Sequence, residues 1–223
     1  MNVLQSTAAA AERVFEFLEE DELAEDVENP IEIYDENKQI KIHGSVTFDH
    51  VCFGYNPDKI IIHDFNMHLH AGQKVAIVGP TGAGKTTIVK LLMRFYELNS
   101  GAILIDGCDI KDYRRQDLCD LFGMVLQDAW LFNGTVMENL RYGKLEASDE
   151  QVKIAAKNAY VDHFINTLEN GYDTLINEES NNISQGQKQL LTIARAFLAD
   201  PKILILDEAT SSVDTRTEIL IQK

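Results

Sequence analysis

Between positions 79 and 86 the sequence reads Gly79-Pro80-Thr81-Gly82-Ala83-Gly84-Lys85-Thr86, the spacing GxxxxGK[ST] of a phosphate-binding loop. Each residue type has a chemical reason. Glycines let the backbone wrap until its N–H groups point at phosphate oxygens, and a helix starting at the end of the loop adds about half a positive charge there. Lys85 is placed to reach β- and γ-phosphates as a point charge, and the Thr86 hydroxyl to ligate Mg²⁺. Thr87 extends the polar start of the helix. Such a site needs an acid at the end of another apolar strand, and Ile203-Leu204-Ile205-Leu206 runs into Asp207-Glu208. Asp207 is expected to hold the Mg²⁺ shell. Glu208 is expected to orient or deprotonate the attacking water as general base.

The elements that must position these groups follow from periodicity. Residues 74–78 (Lys74-Val75-Ala76-Ile77-Val78) form a short apolar run of the buried-strand kind just before the loop. After the loop, Ile88, Leu91, Leu92 and Phe95 stand at helical spacing. Val46, Phe48, Val51 and Phe53, then Phe65, Met67 and Leu69, predict strands joined through Asn56-Pro57-Asp58. Residues 103–105 and 124–126 are further strand candidates, while residues 149–168 and 187–198 read as helix. Strands alternating with helices predict an α/β fold with a mostly parallel sheet, whose ligands bind beyond the carboxyl ends of its strands.

Composition bounds the function classes. The chain has 223 residues, 45% hydrophobic and 25% charged, ordinary values for one large globular domain or two small ones. Its 20 basic against 36 acidic residues give a net charge of −16, which argues against a non-specific grip on nucleic acid. About two thirds of that charge, −11, lies in residues 1–36, where Arg13 is the only base. Residues 8–18 favour helix, residues 19–28 cluster acids, and Asn29-Pro30 then discourages helix. No apolar run reaches the ~18 residues of a membrane span. The three cysteines, Cys52, Cys108 and Cys119, form no CxxC pair and predict neither a disulfide nor a zinc framework. His68 and His70 lie at strand spacing on one face, but no third metal ligand accompanies them.

Taken in order, the motifs from Lys85 to Glu208 resemble the nucleotide-binding domain of an ATP-binding cassette (ABC) transporter, and the match covers nearly everything from Gly44 onward. Gln127 in Val125-Leu126-Gln127-Asp128 looks like the Q-loop glutamine, which the resemblance places against Mg²⁺ and the attacking water. Tyr55 in Phe53-Gly54-Tyr55 stands where the family has an aromatic that stacks on adenine. Ile183-Ser184-Gln185-Gly186-Gln187 resembles the signature sequence LSGGQ, departing from it at Ile183 and Gln185. Ser184-x-x-Gln187 is also a helix capping box, and both readings hold together. A capped helix start presents N–H groups and a positive dipole end to a γ-phosphate. By the resemblance, Ser184, Gly186 and Gln187 meet the ATP of the opposite subunit. Ser211-Ser212-Val213-Asp214 looks like the D-loop of the same interface.

Leu131-Phe132-Asn133-Gly134-Thr135-Val136, with Glu138-Asn139 after it, is similar to exporters, as are Phe95-Tyr96 and Ile105-Asp106-Gly107. The resemblance therefore implies a P-loop NTPase core with an N-terminal antiparallel β-subdomain and an inserted α-helical subdomain. Residues 1–36 would be a helix and acidic linker from a preceding membrane domain, and residues 37–223 the cassette. Glu178-Glu179 falls where exporters contact that membrane domain. The implied partners are a second nucleotide-binding domain and the membrane-spanning domain of the same polypeptide, at the cytoplasmic face of the cell membrane. The family's switch histidine follows a further strand after the catalytic glutamate. Only 15 residues follow Glu208 and none is His, so the chain reads as a cassette truncated before that strand.

Two other classes compete. A soluble ABC ATPase acting on DNA would interrupt the cassette with a long coiled coil, whereas residues 85–184 are continuous and free of heptads. An ATP-binding module with little hydrolysis is the alternative. Gln185 beside an intact Asp207-Glu208 adds the expectation of a heterodimer with one strong and one weak site.

Overall fold

A computed structural model describes residues 2–18, 26–34, 40–56, 58–80, 82–177, 183–207 and 217. The predicted first helix is present as α1 (Asn2–Leu18), and Val14, Phe15, Phe17 and Leu18 on it are exposed. Of the acidic stretch, residues 19–25 lie outside the described residues. Asp26 is tied down: its carboxylate accepts from the Arg115 N–H at 3.1 Å and lies 4.0 Å from the Arg94 guanidinium.

The alternating segments form an antiparallel sheet of β1 (Val46–Phe53), β2 (Ile62–Leu69), β3 (Ser100–Ile105) and β4 (Cys108–Asp109), ordered β2-β1-β3-β4. Val46, Phe48, Val51 and Phe53 alternate inward as their spacing predicts. The β1–β3 register shifts between Asp49 and Cys52. There His50 takes φ +50°, and the facing Gly101, at φ +85°, comes so close that a Cβ would stand 2.3 Å from the His50 carbonyl oxygen. Only glycine fits that approach.

Against this sheet packs α2 (Lys85–Leu92), which buries Ile88, Leu91 and Leu92 in one cluster with Phe48, Phe53, Ile103 and Ile105. The helix is shorter than its pattern implied. Arg94 adopts φ +55°, Phe95 N–H closes back on the Lys90 carbonyl at 2.9 Å, and Phe95 itself is exposed. Such a left-handed stop satisfies the last carbonyls of the helix.

The second half is mainly helical. After α3 (Arg115–Asp120) and β5 (Phe122–Val125) come β6 (Gly134–Thr135), α4 (Val136–Arg141), α5 (Asp149–Asn158), α6 (Asp162–Ile165) and β7 (Leu175–Ile176). The long α7 (Gln185–Ala199) and β8 (Ile203–Leu206) follow. The helix expected over residues 149–168 is broken where Tyr160 takes φ +57°. Helices α4, α5 and α7 share a second core with Val136, Leu140, Val152, Leu191 and Ala194 at its centre.

Parallel pairing differs from expectation. β5 and β8 run parallel from Phe122↔Ile203 to Val125↔Leu206, and among the described residues this is the one parallel pair of strands. The run at residues 74–78 forms no strand. Val75, Ile77 and Val78 are 45%, 40% and 87% exposed, so the expectation of a buried strand there is corrected. An apolar run needs a neighbour on each side to ladder and bury it; among the described residues β8 is paired through β5 alone, and residues 74–78 lie in none of the described sheets.

Candidate functional site

Gly84 opens the phosphate-binding loop onto α2. It sits at φ +86° as the helix N-cap and, as glycine, has no side chain of its own to cap the helix start. The left-handed φ favours glycine there; a Cβ on Gly84 would meet only the tip of the Ile62 side chain, Cδ1, at 2.7 Å. Gly82, at φ +84°, faces open space, and the Ala83 N–H donates to the Pro80 carbonyl at 3.1 Å. Lys85 folds back into the loop, its ammonium donating to the carbonyls of Gly79 at 2.8 Å and Pro80 at 3.1 Å. The loop therefore encloses a cation beside an uncapped helix N-terminus, a donor set suited to a polyphosphate. Thr86 is exposed at that start and Thr87 is buried. Thr81 lies outside the described residues.

Tyr55 stands over the same helix. Its hydroxyl lies 3.2 Å from Thr87 Oγ1. Its ring meets Phe53 and Tyr96 edge-on, each with centroids 5.0 Å apart. It remains 45% exposed. Tyr96 is a neighbour that residue spacing alone does not reveal, since it follows the end of α2; the Phe95-Tyr96 pair was its one signal.

β5 and β8 carry Gln127 and Asp207 to the same edge of the sheet. Val125 pairs with Leu206, and the Asp207 N–H donates to the Val125 carbonyl at 3.0 Å. Both residues thus leave the carboxyl ends of adjacent parallel strands, the edge where such sheets bind ligands. Gln127 is exposed and Asp207 half-buried. Carboxylate, amide and the Thr86 hydroxyl are hard oxygen ligands of the kind Mg²⁺ prefers. Glu208, Glu178-Glu179 and Ser211 to Asp214 lie outside the described residues.

At the other end of the helical body, Ser184 caps α7. Its Oγ accepts from the Gln187 N–H at 3.3 Å, and its own N–H donates to Gln187 Oε1 at 2.8 Å, the reciprocal box that the sequence predicts. Gln185 and Gly186 follow within the first turn, where N–H groups have no acceptor inside the helix. Ser184 and Gln185 are exposed. The His68 and His70 rings touch, centroids 4.6 Å apart; no cluster of three or more potential metal ligands occurs among the described residues.

The family model described as ABC transporter matches residues 62–211. A fatty acid ABC transporter ATP-binding/permease protein of Mycobacterium tuberculosis is 54% identical over 222 residues, covering 100% of this chain and 34% of that protein. A putative multidrug export ATP-binding/permease protein of Bacillus subtilis is 44% identical, covering 99% of the chain and 37% of its own length. Among solved structures, a bacterial Atm1-family ABC exporter with ATP bound superposes with a TM-score of 0.82 at 43% identity, covering 99% of this chain and 37% of that one. The chain thus spans about a third of the length of these relatives. No described helix is long and apolar enough to cross a membrane.

Proposed function

The chain belongs to the ABC transporter family, and we propose that it is the nucleotide-binding domain of an exporter, hydrolysing ATP to drive a substrate across a membrane. The observation that carries this reading is the parallel pairing of β5 with β8, which sends Gln127 and Asp207 off the same edge of the sheet, in a chain whose phosphate loop opens onto α2 through Gly84. Lys85 exchanges its carbonyl partners for phosphate oxygens. Gly79, Pro80, Thr81, Gly82, Ala83 and Gly84 line the loop with backbone, and Tyr55 offers its ring to the adenine. Thr86, Gln127 and Asp207 hold Mg²⁺, which when bound neutralises charge on the transferred phosphoryl group. Glu208 takes the proton of the attacking water while Gln127 orients it. Ser184, Gly186 and Gln187 meet the γ-phosphate held by a second copy of the domain, so closure of the pair completes each site.

Two features support a membrane-domain partner at the cytoplasmic face: the exposed apolar residues of α1, and relatives that are ATP-binding/permease fusions. Relatives named as a fatty acid transporter and as a multidrug exporter favour a lipid-like or multidrug cargo. Glu208→Gln in the full-length protein is expected to keep ATP binding and lower steady-state hydrolysis at least ~100-fold, the lower range for a positioned base. Unchanged turnover would remove Glu208 as the base.

A second reading, an ATP-binding half-site with weak hydrolysis, is favoured by Gln185 at the exposed start of α7, where the family has a small residue. Phosphate release measured beside stoichiometric ATP binding separates the two. Binding without release selects the weak half-site.

A further inference from the structure

Two side chains of α7 grip the stretch that carries Gln127, one on each side of it. Gln189 is 1% exposed, and its Nε2 donates to the carbonyl of Leu126 at 2.9 Å. Arg195, about 9 Å further along the helix, donates to the carbonyl of Trp130 at 2.7 Å. It also donates to the carbonyl and side-chain oxygen of Asn139, each at 2.5 Å. The guanidinium is held from the side by Phe132 and Tyr142, with centroids 5.8 and 5.6 Å away. Asn139, fully buried, is fixed in turn by bonds to the main chain of Phe132 and to the Thr135 carbonyl. Residues 127–129 are therefore bracketed by one helix.

Packing does not explain this arrangement. β5 stops at Val125, so the carbonyls of Leu126 and Trp130 take no partner from the ladder and receive their donors from α7. Gln189 serves one of them while its own Oε1 stays buried without a partner among the described residues. An unmet buried acceptor is costly where an apolar side chain of equal size would be nearly neutral. The amide makes sense for the bond it donates. The helix that makes both bonds is the one whose capped N-terminus begins at Ser184.

We infer that Gln189 and Arg195 are positioning residues that lock the placement of Gln127 to the placement of α7. The α7 N-terminus that engages the second copy's phosphate and the amide that faces this copy's attacking water then move as one body. This rests on the proposed catalytic role of Gln127, and the test separates the two claims.

In the full-length protein, kcat and KM for ATP are measured for Gln127→Ala, Gln189→Met and the double variant, with thermal midpoints beside them. Gln189→Met is expected to lower kcat about tenfold, the worth of one hydrogen bond, with KM within about twofold. The double variant is expected to be no slower than Gln127→Ala alone. Arg195→Lys, which keeps the charge but loses the fork of donors, is expected to repeat the pattern. Losses that multiply, or Gln189→Met at the parent rate, overturn the coupling while leaving Gln127 catalytic. Parent turnover in Gln127→Ala overturns the catalytic reading and the coupling with it. Should Gln189→Met fail to fold, the same cycle with Gln189→Asn, an amide one methylene too short, distinguishes coupled from independent losses in its place.

Discussion

At the residue scale, the site depends on groups whose conformations are already set by their neighbours. Gly84 sits at a left-handed φ, and Lys85 is held by two carbonyls of its own loop. Tyr55 is oriented twice, by its hydroxyl near Thr87 and by edge contacts with Phe53 and Tyr96. A ring fixed this way loses little freedom when a base stacks on it. Stacking of a base on an aromatic ring is worth about 1–3 kcal/mol. Tyr55→Ala is therefore expected to raise the ATP dissociation constant at least about fivefold, measured by titration calorimetry, while Tyr55→Phe stays within about threefold. Equal losses in both variants would move the role from the ring to the hydroxyl.

At the scale of elements, the hairpin between β3 and β4 shows how one turn residue fastens distant chain. Asp106 and Gly107 both take positive φ, +49° and +83°, the requirement of the tightest hairpin turn. The Asp106 carboxylate accepts from the N–H groups of His43 at 2.6 Å and Ser45 at 2.8 Å, and from the Ser45 hydroxyl at 2.8 Å. Burial alone would push this carboxyl up, but the hydrogen bonds outweigh it and hold the acid below its ordinary range. A carboxyl lowered in the folded state adds stability that is complete above its unfolded pKa, about 3.9, and is lost as pH falls through the folded value. Asp106→Asn is expected to lose about 1 kcal/mol at neutral pH, read by urea unfolding, and to converge with the parent chain as pH falls below the ordinary carboxylate range and through the lowered folded value. A difference independent of pH would assign the loss to the turn. Other local signals were legible in the sequence: the alternation of β1, the capping box at Ser184 and the apolar run into Asp207 all form as spelled. Signals that depend on neighbours were not. Residues 74–78 have the right composition for a buried strand but lie in none of the described sheets, and the pattern of α2 runs past the point where Arg94 turns left-handed. Gln189 and Arg195 read as ordinary polar residues, because their value comes from main-chain carbonyls far away in sequence.

At the scale of the molecule, two cores meet along β5. Val125 belongs to the helical core with α4 and α7, while Phe122, with Ile203 and Ile205 of β8, packs against the core that holds α2. Gln127 and Asp207 leave the strands at this seam, so a nucleotide on the α2 loop that also reaches them would touch both bodies. Charge does not help to draw it in. The chain carries −16, of which −11 lies in residues 1–36, and the cation at the loop is Lys85 beside the helix N-terminus. Binding energy at the seam should therefore appear as stability of both cores together. MgATP at about a hundred times its dissociation constant adds roughly 2.7 kcal/mol to a folded state that binds it, or about 5–10 °C in a chain of this size. We expect one calorimetric transition that rises by that amount as a whole, with the rise abolished in Lys85→Ala. A transition that splits, with only part of the heat moving upward, would mean that the nucleotide engages the α2 core alone. Gln127 and Asp207 would then lie outside its reach.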